Sequence, residues 1–154
     1  MTKFIATFGF VGLIPFAPGT FGSLAALPFA WLLIVGTGPV GVIVASALVF
    51  GLGWWATGLE TAGAGDHDPG EIVIDEVVGQ WLAVLPMAFG VTVIGNFGVT
   101  LVVGFVLFRA FDILKPFPIS WADGLHTPFG VMFDDVLAGL AAALCLWILA
   151  GLLP

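Results

Sequence analysis

Positive charge is scarce in this chain. Its 154 residues include three Lys and Arg side chains against ten Asp and Glu, which gives a formal net charge of -7. Proteins that bind nucleic acid neutralise phosphates with clustered Lys and Arg. The composition therefore argues against nucleic acid as a partner.

Cysteine and histidine are scarce as well. Cys145 is the single cysteine and lies inside an apolar run, so we expect it to serve packing, with neither a disulfide framework nor a zinc ligand set. His67 and His126 fall in polar loops, where a solvated side chain is the simpler interpretation. The chain also lacks a Gly-x-Ser-x-Gly motif, a Cys-His pair and a Walker loop, so acyl transfer and nucleotide hydrolysis have no support.

Apolar residues, in contrast, are abundant. They make up 60% of the chain, the mean hydropathy is +1.20, and charged residues reach only 8%, where globular domains carry about 25%. A soluble fold of this size cannot bury so much apolar surface. We therefore predict an all-α integral membrane protein with one domain over residues 1–154.

Five apolar runs predict helices of roughly bilayer length. They lie near Phe21 to Val35, Val40 to Leu59, Ile72 to Gly95, Val99 to Leu114 and Val131 to Leu153. About 20 residues cross a hydrocarbon core of about 30 Å. The opening stretch, residues 4–16, is shorter and contains glycine and proline, so it should lie at the interface or re-enter the membrane. The expected architecture is a polytopic bundle of about four to five spanning helices.

Most of the charge falls in three short blocks, at residues 66–76, 109–115 and 123–135. Residues 36–39 and 95–98 predict tight, uncharged turns. Because successive spanning helices are antiparallel, these two turns should share one membrane face and the charged blocks should converge on the other. Ionisable groups kept in such an apolar chain normally line a site, since a charge at the bilayer centre costs at least ~2.5 kcal/mol.

The basic residues indicate the orientation. Lys3, Arg109 and Lys115 all belong to the charged side of this arrangement. The positive-inside rule then places the charged rim in the cytoplasm.

Two pairs of acids stand at predicted helix starts. Asp75 pairs with Glu76, and Asp134 pairs with Asp135. Carboxylates at a helix N-terminus are favoured by the helix dipole, so capping is the simpler interpretation of each pair. Four carboxylates at one rim repel each other, however, unless a cation lies between them. Oxygen ligands of this kind suit Mg²⁺ better than zinc or copper, so we expect all four residues to take part in a Mg²⁺ site, with one member of each pair as the direct ligand. The number of ions stays open.

A weak internal echo relates these two segments. Residues 74–79 and 133–139 each place an acidic pair before a small residue one helical turn later. No heptad pattern, low-complexity tract or second domain accompanies the echo.

Arg109, Asp112 and Lys115 follow one another at a spacing of three, which covers an arc of about 120° on a helix. A structural interpretation makes them an ion network that anchors the helix end. A functional one has Arg109 and Lys115 bind phosphate, while Asp112 binds metal or orients a donor. The functional interpretation is favoured because Arg109 lies well inside the apolar run.

Residues 17–23 run from a breaker segment into a helix. Thr20 can cap that helix, its glycines permit close approach, and exposed amides at a helix start attract anions. We expect this segment, with Thr20 and Ser23, to cradle a phosphate.

At these residues the chain resembles the phosphatidylglycerophosphatase A family. The resemblance spans almost the whole length and is carried by residues 18–24, 74–81, 108–119 and 130–139. It implies Mg²⁺-dependent removal of the terminal phosphate from phosphatidylglycerophosphate, which gives phosphatidylglycerol, in a bacterial inner membrane.

Residue pattern and resemblance together predict one active site at the cytoplasmic rim. The expected catalytic residues are Asp75, Glu76, Asp112, Asp134 and Asp135, and the expected substrate-binding residues are Thr20, Ser23, Arg109 and Lys115. The nucleophile is either a metal-activated water or an aspartate that forms a phospho-enzyme. The expected partners are the lipid substrate and membrane lipids. The alternative function is a small transporter or channel that moves a cation or proton through the same acidic cluster.

Overall fold

The computed structural model describes residues 1–62 and 69–153. Its α-helices are α1 (Thr2–Ala6), α2 (Pro18–Glu60), α3 (Ile74–Ala83), α4 (Phe97–Leu114), α5 (Ile119–Asp123) and α6 (Pro128–Leu152). Two short 3-10 helices lie at Val11–Leu13 and Leu85–Phe89. Within the described ranges the only β pairing is an isolated bridge between Val93 and Asn96, which confirms the all-α prediction. His67 lies outside the described residues.

Helix α2 is a hairpin of two helical arms. Its 43 residues would extend about 65 Å as a straight rod, but Gly38 interrupts the helix with φ 66° and ψ -163°. Gly22 and Gly53, which lie before and after this break, both pack against the start of α3. The chain therefore reverses at Gly38, within the predicted turn. We call residues 18–37 the first arm and residues 39–60 the second arm.

Within residues 1–62 and 69–153, four helical segments have the length needed to cross a bilayer. Helices α2, α4 and α6 are long and apolar enough to span a membrane by length and composition. Since α2 folds back on itself, its two arms each supply about 20 residues, the number that a 30 Å core requires. These arms together with α4 and α6 agree with the predicted range of four to five spanning helices.

The apolar run from Ile72 to Gly95 does not form the spanning helix that its length suggests. Helix α3 covers only 10 residues, or about 15 Å, and is followed by the 3-10 helix Leu85–Phe89. Nearly every residue of α3 is buried among the other helices. Composition cannot distinguish a helix buried in protein from one that faces lipid, which explains the difference.

The N-terminal segment packs against the residues that precede α3. The amide of Val73 donates a 2.9 Å hydrogen bond to the carbonyl of Ala6, at the end of α1. Lys3 forms a salt bridge of 3.1 Å with Glu71. The opening residues are thus no fifth long helix, and they hold the chain that leads into the acidic pair of α3.

Helices α3 and α6 approach each other through glycine. A Cβ atom on Gly139 would lie 2.3 Å from the carbonyl oxygen of Gly79, and one on Gly79 would lie 2.7 Å from the carbonyl oxygen of Asp135. These glycines are the small residues of the sequence echo. Their contact lets the two helix backbones pack closely enough to bring acids from both helices into one site.

Gly139→Ala should therefore destabilise the bundle and lower activity. The added methyl meets backbone atoms, which have no rotamer to adopt, so we expect a loss of about 1–3 kcal/mol of stability. The thermal midpoint in detergent measures this effect. Gly151→Ala is the matched control, because it lies in the same helix with no atom within 4 Å of an added Cβ. Equal midpoints for the two variants would contradict the close packing of α3 on α6.

Candidate active site

A polar pocket of about 350 Å³ lies at the end of the bundle where α2 and α3 begin and α4 ends. It brings together eight of the nine predicted site residues: Thr20, Asp75, Glu76, Arg109, Asp112, Lys115, Asp134 and Asp135. The ninth, Ser23, is buried behind the pocket and accepts a hydrogen bond from Arg109. The opposite end of the bundle carries the break at Gly38 and the contact between Ile94 and Leu153. The structure thus gathers the predicted residues at one end.

Three carboxylates form the centre of the pocket. Asp75 and Glu76 come from the first turn of α3, and Asp135 comes from α6. Each offers one oxygen, and these three oxygens lie within 4.8 Å of one another. Asp75 and Asp135 are buried, and the Glu76 side chain is only 13% exposed. A group of carboxylate oxygens at this separation has the donor chemistry that hard divalent cations select.

The pocket carries an excess of negative charge. Among the described residues of its walls, five are carboxylates and two are cationic side chains. Burial raises the pKa of Glu76 to about 8, although a hydrogen bond with Asp75 opposes the shift. The Glu76 Oε2 atom is buried and has no hydrogen-bond partner among the described residues. The cluster therefore fits a bound cation better than it fits a set of carboxylates alone.

Asp134 is not a member of this group of three, and both of its oxygens have other partners. Oδ2 accepts a 2.7 Å hydrogen bond from Lys115 Nζ, and Oδ1 accepts a 2.9 Å bond from the amide of Asp135. Lys115 also pairs with Asp123 of α5. Burial alone would lower the pKa of Lys115, but its hydrogen bonds to the two aspartates outweigh this effect and raise the pKa. Through these two salt bridges, Lys115 connects the end of α4 to α5 and α6.

The acids of α6 do not open their helix. Helix α6 begins at Pro128, and the Thr127 side chain caps it by accepting a hydrogen bond from the amide of Gly130. Asp134 and Asp135 lie in the second turn of that helix and are buried. The prediction that they sit at a helix start was therefore wrong, and the helix dipole does not explain their position.

Arg109 connects three helices at the pocket wall. Its Nη1 atom lies 2.6 Å from Asp112 Oδ2, donates to Ser23 Oγ at 3.4 Å, and lies 3.9 Å from Glu76 Oε1. The spacing of three thus brings Arg109 and Asp112 together, as predicted. Lys115 does not continue their arc, since α4 ends before it and its φ is 42°. These contacts on three helices hold the Arg109 guanidinium toward the carboxylate cluster.

The start of α2 forms the wall beside Glu76. Ala17 is the N-cap residue and Pro18 the first helical residue, so Thr20 lies in the first turn and the prediction that it caps the helix was wrong. A Cβ atom on Gly19 would lie 2.1 Å from Glu76 Oε1, so glycine permits this approach. The positive end of the α2 dipole therefore faces the pocket, where it favours an anion.

One contact at the site was missed in the sequence. Asp123 pairs with Lys115, although its position in a polar loop gave no sign of a partner. His126 is exposed and does not line the pocket, as expected of a loop histidine. Only the fold brings Asp123 near Lys115, because the turn from α4 into α5 decides where the end of α5 lies.

A family model and two curated relatives carry the same name. A model of the family described as Phosphatidylglycerophosphatase A matches residues 4–150. The chain is 42% identical to phosphatidylglycerophosphatase A of Haemophilus influenzae over 136 residues, which cover 86% of this chain and 78% of the relative. It is 36% identical to phosphatidylglycerophosphatase A of Escherichia coli K12 over 133 residues, which cover 86% and 73%.

A third relative carries a different name. The putative phosphatidylinositol-3-phosphatase of Bacteroides thetaiotaomicron is 35% identical over 139 residues, which cover 84% of this chain and 80% of the relative. No solved structure matches the chain. The family match spans nearly all of the sequence, including every residue of the acidic pocket. The chain is a phosphoric monoester hydrolase that belongs to the phosphatidylglycerophosphatase A family.

Proposed function

We propose that this protein, as a single domain over residues 1–154, is a Mg²⁺-dependent phosphatase that converts phosphatidylglycerophosphate into phosphatidylglycerol. The observation that carries the proposal is the group of three buried carboxylates beside Arg109, at one end of an apolar helix bundle. Two relatives at 36–42% identity bear the name of that activity. The third relative is named for another phosphomonoester on a phospholipid, which supports the same class of substrate.

Asp75, Glu76 and Asp135 are the residues that would hold Mg²⁺. When bound, the ion polarises the phosphoryl oxygens and offsets the charge that develops on them. Asp134 acts beside this group, since its oxygens are engaged by Lys115 and by the amide of Asp135. For the α6 pair, this proposal keeps the expectation of one direct ligand and one supporting residue. It departs from that expectation for the α3 pair, because both Asp75 and Glu76 belong to the cluster.

The positively charged side chains bind and orient the substrate phosphate. Arg109 presents its guanidinium between Glu76 and Asp112, and Asp112 fixes its direction through the 2.6 Å contact. Thr20 and the start of α2 line the pocket beside Arg109 and Glu76, and Ser23 accepts a hydrogen bond from Arg109. Hydrolysis adds a water oxygen to phosphorus and breaks the bond to the glycerol oxygen, which leaves as an alcohol.

The cation or proton transporter is not favoured as an alternative. An ion pathway needs polar groups along the depth of the membrane, whereas the acids described here gather at one end. The family to which the chain belongs is one of phosphatases.

We place the protein in a bacterial inner membrane, with the pocket on the cytoplasmic side. Lys3, Arg109 and Lys115 all lie at the pocket end of the bundle, which is the pattern of the positive-inside rule. A cysteine at Asn96, introduced into a Cys145→Ala background, should react with an impermeant thiol reagent added outside cells whose inner membrane is accessible. A cysteine at exposed His126 should stay unlabelled until the membrane is opened. The reverse pattern would place the pocket on the outer face.

The activity itself is tested with purified protein in detergent. We expect phosphate release from phosphatidylglycerophosphate in the presence of Mg²⁺, no release in excess EDTA, and recovery when Mg²⁺ is restored. Phosphatidylinositol 3-phosphate is tested as a second substrate in the same assay. No release from either lipid would contradict the proposed function, and full activity in EDTA would contradict the metal assignment alone.

A further inference from the structure

One polar side chain at the centre of the bundle has no role in the site as described. Gln80 of α3 is fully buried, and neither its amide nitrogen nor its amide oxygen has a hydrogen-bond partner among the described residues. An unsatisfied buried amide costs about 1–3 kcal/mol. Buried polar groups in native proteins almost always have a partner, either protein or ordered water.

The contacts of its neighbours show which way Gln80 faces. Gly79, the preceding residue, packs against α4 and α6, while Trp81, the following residue, donates a 3.0 Å hydrogen bond to a carbonyl of the first arm of α2. Gln80 points between these directions, toward the seam between α4 and the first arm. Glu76 lies one turn earlier on the same face of α3, because residues four apart on a helix are neighbours. Glu76 contacts both sides of this seam, through Gly19 and Arg109.

Two other atoms on this seam have unmet hydrogen-bonding capacity. Glu76 Oε2 and Arg109 Nε are both buried and have no partner among the described residues. Together with Gln80 they supply one acceptor, one donor and an amide that offers both. Residues four apart on a helix have Cβ atoms about 5–6 Å apart, so the polar ends of Glu76 and Gln80 are close enough to share one water molecule.

We propose that Gln80 holds a buried water that donates to Glu76 Oε2 and accepts from Arg109 Nε, which makes Gln80 a positioning residue for the carboxylate cluster. Such a water makes three hydrogen bonds, the usual number for one buried in a protein. The water then fixes the Oε2 atom of Glu76, whose carboxylate is one of the three in the cluster. This inference rests on the proposed function, because it assigns Glu76 to cation binding.

Direct binding of Mn²⁺ to the purified full chain, followed by the electron paramagnetic resonance of the free ion, tests the proposal. Gln80→Met keeps the length of the side chain and removes both polar atoms. Loss of an outer partner of a metal ligand typically costs 10–100-fold, so we expect affinity for Mn²⁺ to fall by about tenfold. The thermal midpoint is measured without metal on the same samples, so that a change in folding is separated from a change in affinity. A merely structural role would lower the midpoint and leave the affinity unchanged.

Ser46→Ala is the matched control. Ser46 is another buried side chain whose hydroxyl has no partner among the described residues, and it lines an apolar cavity between the second arm of α2 and α6. Its loss should leave Mn²⁺ affinity at the wild-type value. An equal fall in both variants would overturn the assignment to Gln80.

The outcomes separate this proposal from the proposed function. Wild-type protein that binds no Mn²⁺ would overturn the metal cluster and the role of Gln80 together. Wild-type binding with an unchanged affinity in Gln80→Met would overturn the role of Gln80 alone. If Gln80→Met does not fold, Gln80→Asn is used in its place. This variant moves the amide back by one methylene and should still weaken Mn²⁺ binding, by a smaller factor. Wild-type affinity in that variant would overturn the proposal equally.

Discussion

Asp75→Asn should abolish most of the phosphatase activity while the helix bundle stays folded. Asp75 is buried and contributes one of the three oxygens that lie within 4.8 Å of one another. The amide keeps the size of the side chain but removes the charge that holds the cation. Breaking a buried charge pair from one side costs about 3–5 kcal/mol, which corresponds to metal binding weakened by roughly 10²-fold to several thousand-fold. Asp135→Asn should behave in the same way.

The measurement is phosphate release as a function of Mg²⁺ concentration, together with the thermal midpoint in EDTA. Without metal, the midpoint should stay level or rise, because one source of like-charge repulsion is removed. Glu71→Gln is the control, since its carboxylate precedes α3 but is about half exposed and pairs with Lys3. Near wild-type turnover in Asp75→Asn would show that this residue is not a ligand.

Arg109→Lys should lower the rate of hydrolysis by about 10²- to 10³-fold although the charge is kept. Guanidinium binds a phosphate through two parallel donors, whereas an ammonium is a single point charge. Loss of one charge-assisted contact made in the transition state costs an amount of this size at oxyanion sites. In this structure the same Nη1 atom also reaches toward Asp112, Glu76 and Ser23, and a lysine cannot hold all three directions at once.

A change in kcat should account for most of that loss, since the contact acts on the transferred phosphoryl group. Lys3→Arg provides the reverse exchange at an exposed pair and should be neutral in both rate and stability. A rate for Arg109→Lys within a few-fold of wild type would favour the interpretation in which Arg109 only anchors the end of α4. A thermal midpoint low enough to explain the loss of rate by unfolding would also favour the anchoring interpretation.

Much of the architecture follows from local features of the sequence. The apolar runs gave the helices, and Gly38 followed by Pro39 gave the reversal of α2, because a positive φ and a missing amide both interrupt a helix. The antiparallel order then brought the charged segments to one end. The run from Ile72 to Gly95 was misread, since a helix surrounded by protein is as apolar as one surrounded by lipid.

The choice of residues within the site was less accessible to sequence reasoning. The sequence alone did not distinguish the four acids of the two pairs. The fold separated them, because Lys115 turns away from α4 and engages Asp134, while Asp135 faces the pair on α3. The prediction that Thr20 caps α2 was wrong for a similar reason, since the helix begins two residues earlier, at Pro18.

Composition and spacing by themselves determined the membrane class, the helical fold, the family resemblance and the end of the molecule that carries the charge. These properties depend on how many apolar and charged residues there are and on where they fall along the chain. Only the tertiary structure decided which carboxylates share a cluster, which one pairs with Lys115, and which buried amide has no hydrogen-bond partner among the described residues. Such choices depend on the rotation of each helix about its axis and on the close contact of Gly79 with Gly139, and both arise when the helices pack together.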